Sequence, residues 1–203
     1  MTLTLNPVLE AQPFPVPLRL HRLTVEQYHR MIGAEILHSG DNIELLEGWL
    51  VDKMTKNPPH TVCTQLITEE LRGLGLLGRS VRVQEPISLS DSEPEPDVVL
   101  ARGHIRDFLE HHPHPHDIEL LVEVADATLR QDQTLKKRLY ARANIPVYWI
   151  ANLLEMQIEV YEEPQPALEW PDYARKQIFR AGENVPLVLE GETHLLSVKD
   201  LLP

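Results

Sequence analysis

The chain has 203 residues, 42% hydrophobic and 25% charged, with a formal net charge of −12 at pH 7. This is ordinary globular material, long enough to build a real core, and its charge excludes a protein that coats nucleic acid through bulk electrostatics. Cys63 is the one cysteine, which excludes an intramolecular disulfide framework and fits a reducing compartment. No apolar run approaches the length of about 18 residues that a membrane span needs, and the N-terminus lacks the basic-then-apolar order of a signal peptide. A soluble cytoplasmic protein without a membrane partner is the expectation.

Residues 1–20 carry Pro7, Pro13, Pro15 and Pro17 without sustained periodicity and read as an extended arm, leaving 21–203 as one domain. Thr24-Val25-Glu26-Gln27 is a capping box that opens a short helix. Ile43–Leu46 and Trp49–Val51, separated by Glu47-Gly48, predict a hairpin. After Asn57-Pro58-Pro59, a helix runs from about His60 to Leu71, with Val62, Leu66, Ile67 and Leu71 as its apolar stripe and Cys63 as a small core residue.

Val81–Leu89 alternates as a strand, with Pro86 marking a bulge or an edge. Asp97 opens the next strand, and a His- and Pro-rich loop leads into another over 119–125. Asp132–Ala143 predicts a helix with Leu135, Leu139 and Ala143 facing the core, and Ile145–Ile150 a further buried strand. The strand–helix–strand unit at 119–150 implies one parallel crossover within a mostly antiparallel sheet. Segments 157–161 and 176–180 suggest a closing antiparallel meander. The fold class is mixed α/β.

The chemistry concentrates on two carboxylates. Glu123 lies in the middle of Glu119-Leu120-Leu121-Val122-Glu123-Val124-Ala125, an apolar run in which a charge is costly unless paired or metal-bound. Asp97 opens the neighbouring strand in Glu95-Pro96-Asp97-Val98. Carboxylates at such positions suit a divalent metal through hard oxygen ligands, and a lysine beside them can orient water or neutralise developing charge. Lys136 supplies it, one helix turn after Asp132 and one before Tyr140.

Arg130, Lys136, Lys137, Arg138 and Arg142 form a basic stretch able to contact phosphates, though such a face is often merely solvated. His60 reads as a capping or packing group, and Gln84 as an ordinary strand residue or a water-orienting one. His111, His112, His114 and His116 have irregular spacing broken by prolines, which favours a solvated loop over a zinc site.

These segments together resemble the Uma-type endonucleases of the PD-(D/E)XK restriction-endonuclease-like superfamily. The likeness rests on Leu23–Tyr28, Ile43–Gly48, Pro59-His60, Val83–Ile87, Glu95–Val99, Leu121–Asp126, Asp132-x-x-x-Lys136-x-x-x-Tyr140-Ala141 and Ile145-Pro146-x-Tyr148-Trp149-Ile150. It covers the chain from about residue 22 onward. The resemblance implies a restriction-endonuclease-like core with flanking helices and a Mg²⁺-dependent site (Mn²⁺ as substitute). It further implies DNA as substrate and a homodimer. Asp97 matches the motif aspartate, Glu123 the motif acidic residue, and Glu44 an additional metal-binding acidic residue on the first strand. The superfamily lysine two residues after the acidic position is replaced by Ala125, so Lys136 stands as its substitute on the following helix. Val147 replaces the glutamate usual before Tyr148-Trp149.

Two functions follow as expectations. One is a Mg²⁺-dependent endonuclease in which Asp97, Glu123 and Glu44 hold the metal and Lys136 positions the water. The other is a non-catalytic module that keeps the fold for binding or assembly.

Overall fold

The computed structural model describes residues 20–38 and 40–203; the expected N-terminal arm lies outside the described residues except for Leu20. Helix α1 (Val25–Gly33) begins at the anticipated capping box: the Thr24 side chain accepts from the Gln27 N–H while the Gln27 side chain accepts from the Thr24 N–H. Strands β1 (Ile43–Leu46) and β2 (Trp49–Asp52) form the expected hairpin. Its two-residue turn places Glu47 at φ 49° and Gly48 at φ 80°, the left-handed pair that matches strand twist.

Helix α2 (Pro58–Gly73) starts two residues earlier than predicted, because the Asn57 side chain caps the His60 N–H and the prolines occupy N1 and N2, where no N–H is needed. Its buried stripe is Cys63, Thr64, Ile67, Thr68 and Leu71, so the predicted stripe is corrected: Val62 is exposed and Leu66 only half-buried. Thr64 and Thr68 are tolerated inside because their hydroxyls donate to the carbonyls one turn back, His60 and Thr64.

Six strands form the central sheet in the order β3 (Arg79–Val83), β4 (Val98–Arg102), β5 (Ile118–Ala125), β6 (Val147–Asn152), β7 (Gln157–Gln165) and β8 (Asp172–Arg180). Pairing is antiparallel except between β5 and β6, the crossover expected from sequence. The predicted strand over 81–89 is corrected: β3 ends at Val83, because Gln84 takes φ 54° and a left-handed residue cannot continue the ladder. Residues 85–96 swing out instead and return over the hairpin, where the Glu93 N–H donates to the Leu45 carbonyl at 2.7 Å.

Each face of the sheet has its own core. One is covered by α2, the hairpin β9 (Asn184–Leu189) and β10 (Glu192–Ser197), and the short α5 (Val198–Leu201). It joins Ile67 and Leu71 to Val98, Val122, Trp149, Val185, Leu187 and Leu201. The other is covered by a continuous helical segment made of α3 (Leu129–Gln131), a π-helical turn (Asp132–Lys136) and α4 (Lys137–Arg142). Here Leu139, Tyr140 and Ala141 meet Val99, Leu121, Ala125, Ile150 and Tyr148. Leu135 and Ala143, predicted as core-facing with Leu139, lie only at the margin of this core.

Candidate active site

Register brings the two principal carboxylates together. Val98 pairs with Val122 at the end of the antiparallel β4/β5 ladder, so Asp97, one residue before β4, comes beside Glu123, and the Val124 N–H donates to Asp97 Oδ2. Alternation fixes the face of Glu123: Val122 and Val124 belong to the α2 side, so Glu123 projects with Leu121 toward α3–α4.

The helical segment answers with a line of polar groups. In a regular α-helix each step of four residues overshoots a full turn by about 40°, so residues 132, 136 and 140 would drift off one line. The Lys137 N–H bonds to the Asp132 carbonyl, five residues back, and this wider turn cancels the drift. Asp132, Lys136 and Tyr140 are all buried. Lys136 Nζ donates to Glu123 Oε1 at 3.0 Å and lies 3.6 Å from Glu44 Oε1, and the Tyr140 hydroxyl donates to Glu123 Oε1 at 2.6 Å. Glu44 Oε2 accepts the Glu95 N–H. Glu44 thus reaches the site through the lysine.

Asp97 is held on both oxygens. Gln84 Nε2 donates to Oδ1 at 3.2 Å, the Val124 N–H donates to Oδ2 at 2.9 Å, and His60 Nε2 lies 3.1 Å from Oδ2. The left-handed backbone of Gln84 is what ends β3 and turns its side chain to this task. His60, read from sequence as a capping or packing group, packs against Asp97, with its Nδ1 buried and unpartnered among the described residues. The local signal was present in Pro58-Pro59-His60, since prolines at N1 and N2 fix where the following side chain points, but its partner lies far along the chain.

Electrostatics separate the acids. Burial would raise Asp97, but His60, the Val124 N–H and the Lys136 ammonium outweigh it and hold the carboxyl below its usual range. Burial pushes Glu123 up to about 8, against the pull of Lys136 and helped by the charges of Asp132 and Asp97. Asp132 is likewise pushed up by burial, to about 6, with Lys136 and the Thr128 hydroxyl opposing. Burial acts against the Lys136 ammonium, yet Glu123, Glu44 and Asp132 overcome it and keep the amine charged.

These groups line one cleft of about 70 Å³ that also includes Lys56, Asn57, His60, Thr128 and Gln131. It is large and polar enough for several waters. Among the described residues no three or more His, Cys, Asp or Glu side chains are gathered so as to cage a metal by themselves. Mg²⁺ does not require such a cage: it commonly binds through one or two carboxylates and keeps waters and substrate phosphate in its remaining positions. Asp97 and Glu123 fit that requirement, because they are hard oxygen donors from adjacent strands and Glu123 Oε2 accepts no hydrogen bond among the described residues.

Within the basic stretch at 130–142, all but Arg130 are engaged inside the protein. Lys136 is buried, Lys137 pairs with Asp172, Arg138 with Glu47, and Arg142 with both Glu47 and Asp91. The two bridges to Glu47 fasten the turn of the β1–β2 hairpin to α4, and Glu44 of that hairpin lies 3.6 Å from Lys136 Nζ. Their partners lie outside the local sequence, so composition alone could not distinguish clamps from free cations. In the histidine-rich loop, His111, His114 and His116 stack ring on ring, and His114 Nδ1 lies 3.4 Å from the Ser88 carbonyl.

The family model described as "Putative restriction endonuclease" matches residues 25–198. A crystal structure titled as a putative nuclease belonging to DUF820, from Anabaena variabilis, superposes with a TM-score of 0.64 at 14% identity, covering 88% of this chain and 97% of that one. No curated relative matches the chain. The fold of the nuclease neighbour is therefore shared, no helix among the described residues is long and apolar enough to cross a membrane, and the chain belongs to the Uma2 family of restriction-endonuclease-like proteins.

Proposed function

We propose that the protein is a metal-dependent endonuclease that hydrolyses phosphodiester bonds of DNA, with Mg²⁺ (or Mn²⁺) held by Asp97 and Glu123. The observation that carries this reading is that these two carboxylates, from neighbouring strand ends, line one cleft with a buried lysine against one of them. When bound, such a cation supplies charge neutralisation at the phosphate and a lowered pKa for water in its shell. Gln84 and His60 orient Asp97, and Tyr140 orients Glu123. Lys136 serves the water and the charge that develops on the phosphoryl oxygens, and Glu44 is the third carboxylate, holding the lysine in place. Lys56 lines the cleft and Arg130 is exposed on α3; neither has an ion-pair partner among the described residues, so these cations meet the DNA backbone. A homodimer would present two such sites to the two strands of a duplex.

The test is cleavage of supercoiled plasmid and branched DNA by the full chain over a series of Mg²⁺ and Mn²⁺ concentrations. Wild type nicks these substrates only with metal, whereas Glu123→Gln and Asp97→Asn stay folded and lose both metal binding and cleavage. Absence of metal-dependent nicking by wild type would overturn the reading in favour of a non-catalytic binding module, a role to which the heavily ion-paired basic helix lends some support.

A further inference from the structure

Asp132 is a buried acid of the cleft to which the reading above gives no role. Asp132 enters from the helical side, opposite the strand carboxylates, and is almost fully buried while lining the cleft. Its Oδ2 accepts the Thr128 hydroxyl at 2.6 Å, and its Oδ1 accepts no hydrogen bond among the described residues. The backbone around it is anchored, because its own carbonyl takes the Tyr148 hydroxyl from β6 and the π-turn bond from Lys137. Lys136, four residues on, neutralises it in part but is bonded to Glu123. A carboxylate so placed has one oxygen fixed and the other available to a water in the cleft.

From this geometry we propose that Asp132 is the general base of the reaction, taking the proton of the attacking water; this rests on the nuclease reading above. The water O–H bond breaks as its oxygen bonds to phosphorus, the proton passes to Asp132 Oδ1, and the P–O bond to the leaving oxygen opens. That oxygen takes a proton from solvent, and Asp132 returns its own to solvent. A general base works best when its pKa lies near the working pH, and burial has already brought Asp132 to about 6. The groups facing it are Lys136 on its own segment, Asp97 before β4, Glu44 on β1, Glu123 on β5, Tyr148 on β6 and, across the cleft, His60 on α2.

The experiment compares wild type, Asp132→Asn and Thr128→Val. It measures Mg²⁺ affinity by calorimetry, thermal midpoint, and single-turnover plasmid cleavage from pH 5 to 9. At saturating Mg²⁺ the wild-type rate is expected to climb with pH through the titration of Asp132 and then level off. Asp132→Asn keeps its Mg²⁺ affinity, loses this step and cleaves about 10²–10⁴-fold more slowly. Thr128→Val removes a donor to the ionised carboxylate, so the step moves to higher pH with Mg²⁺ affinity unchanged; this variant carries the test if Asp132→Asn fails to fold. A tenfold loss of Mg²⁺ affinity in Asp132→Asn overturns the proposal by making the residue a ligand, and an unmoved pH step in either folded variant overturns it by making the role structural. Cleavage by wild type separates these failures from failure of the nuclease reading itself, which an inactive wild type would signal.

Discussion

Replacing Lys136 by methionine is the sharpest physical test of the site. The ammonium lies 3.0 Å from Glu123 and 3.6 Å from Glu44, and all three side chains are buried. Removing one partner of a buried ion pair destabilises by about 3–5 kcal/mol, because a desolvated charge is left uncompensated. Glu123 escapes part of this by taking a proton, a step its elevated pKa already favours. Glu44 keeps only the Glu95 N–H, so the low end of that range applies. For a chain of this size about 3 kcal/mol lowers the thermal midpoint by roughly 6–12 °C. A divalent cation takes up the place of the missing positive charge, and a ligand that binds only the folded state stabilises by RT ln(1 + [L]/Kd). Thermal unfolding followed by circular dichroism with and without millimolar Mg²⁺ is therefore expected to show a larger metal-induced rise in Lys136→Met than in wild type. A variant within about 2 °C of wild type in metal-free buffer, or an equal rise in both, would refute the argument that the ammonium is the counter-charge of these carboxylates.

Three further outcomes follow from the same structure. Burial raises Glu123 from its ordinary 4.5 to about 8, so the native state binds the extra proton and metal-free stability falls as pH rises from about 4.5 to 8; urea midpoints should decline across that window in wild type, and Glu123→Gln should remove the part above about pH 6, the part below it being shared with Asp132. Cys63 is fully buried, its Sγ 3.3 Å from the Leu201 carbonyl, and burial raises the thiol to about 12, so iodoacetamide labels it only after unfolding. Gly48→Ala forces a side chain into the left-handed region, with Cβ 2.6 Å from the Arg22 Cβ and 2.9 Å from the Leu23 carbonyl. The backbone strain alone is about 1–2 kcal/mol. The urea midpoint should drop by more than that strain predicts, and unchanged stability would contradict the close approach of Arg22.

Local rules made several features legible in the residues themselves. A capping box places α1 because both of its bonds lie within four residues, and Glu47-Gly48 sets the hairpin because left-handed backbone is needed there. Glu123 stands out because charge inside an apolar strand demands a partner, and the Asp132, Lys136, Tyr140 spacing announces a shared helix face. What sequence spacing could not supply is everything that depends on register or on distant partners. Only the β4/β5 ladder brings Asp97 beside Glu123, and only the π turn keeps Asp132 in line with Lys136. His60 and Gln84 became parts of the site because α2 and the end of β3 converge on Asp97, while Lys137, Arg138 and Arg142 became clamps once Asp172, Glu47 and Asp91 arrived from elsewhere. Residue type states that a buried charge must be satisfied; the tertiary structure alone decides which group satisfies it, since those partners are joined through space and not along the chain.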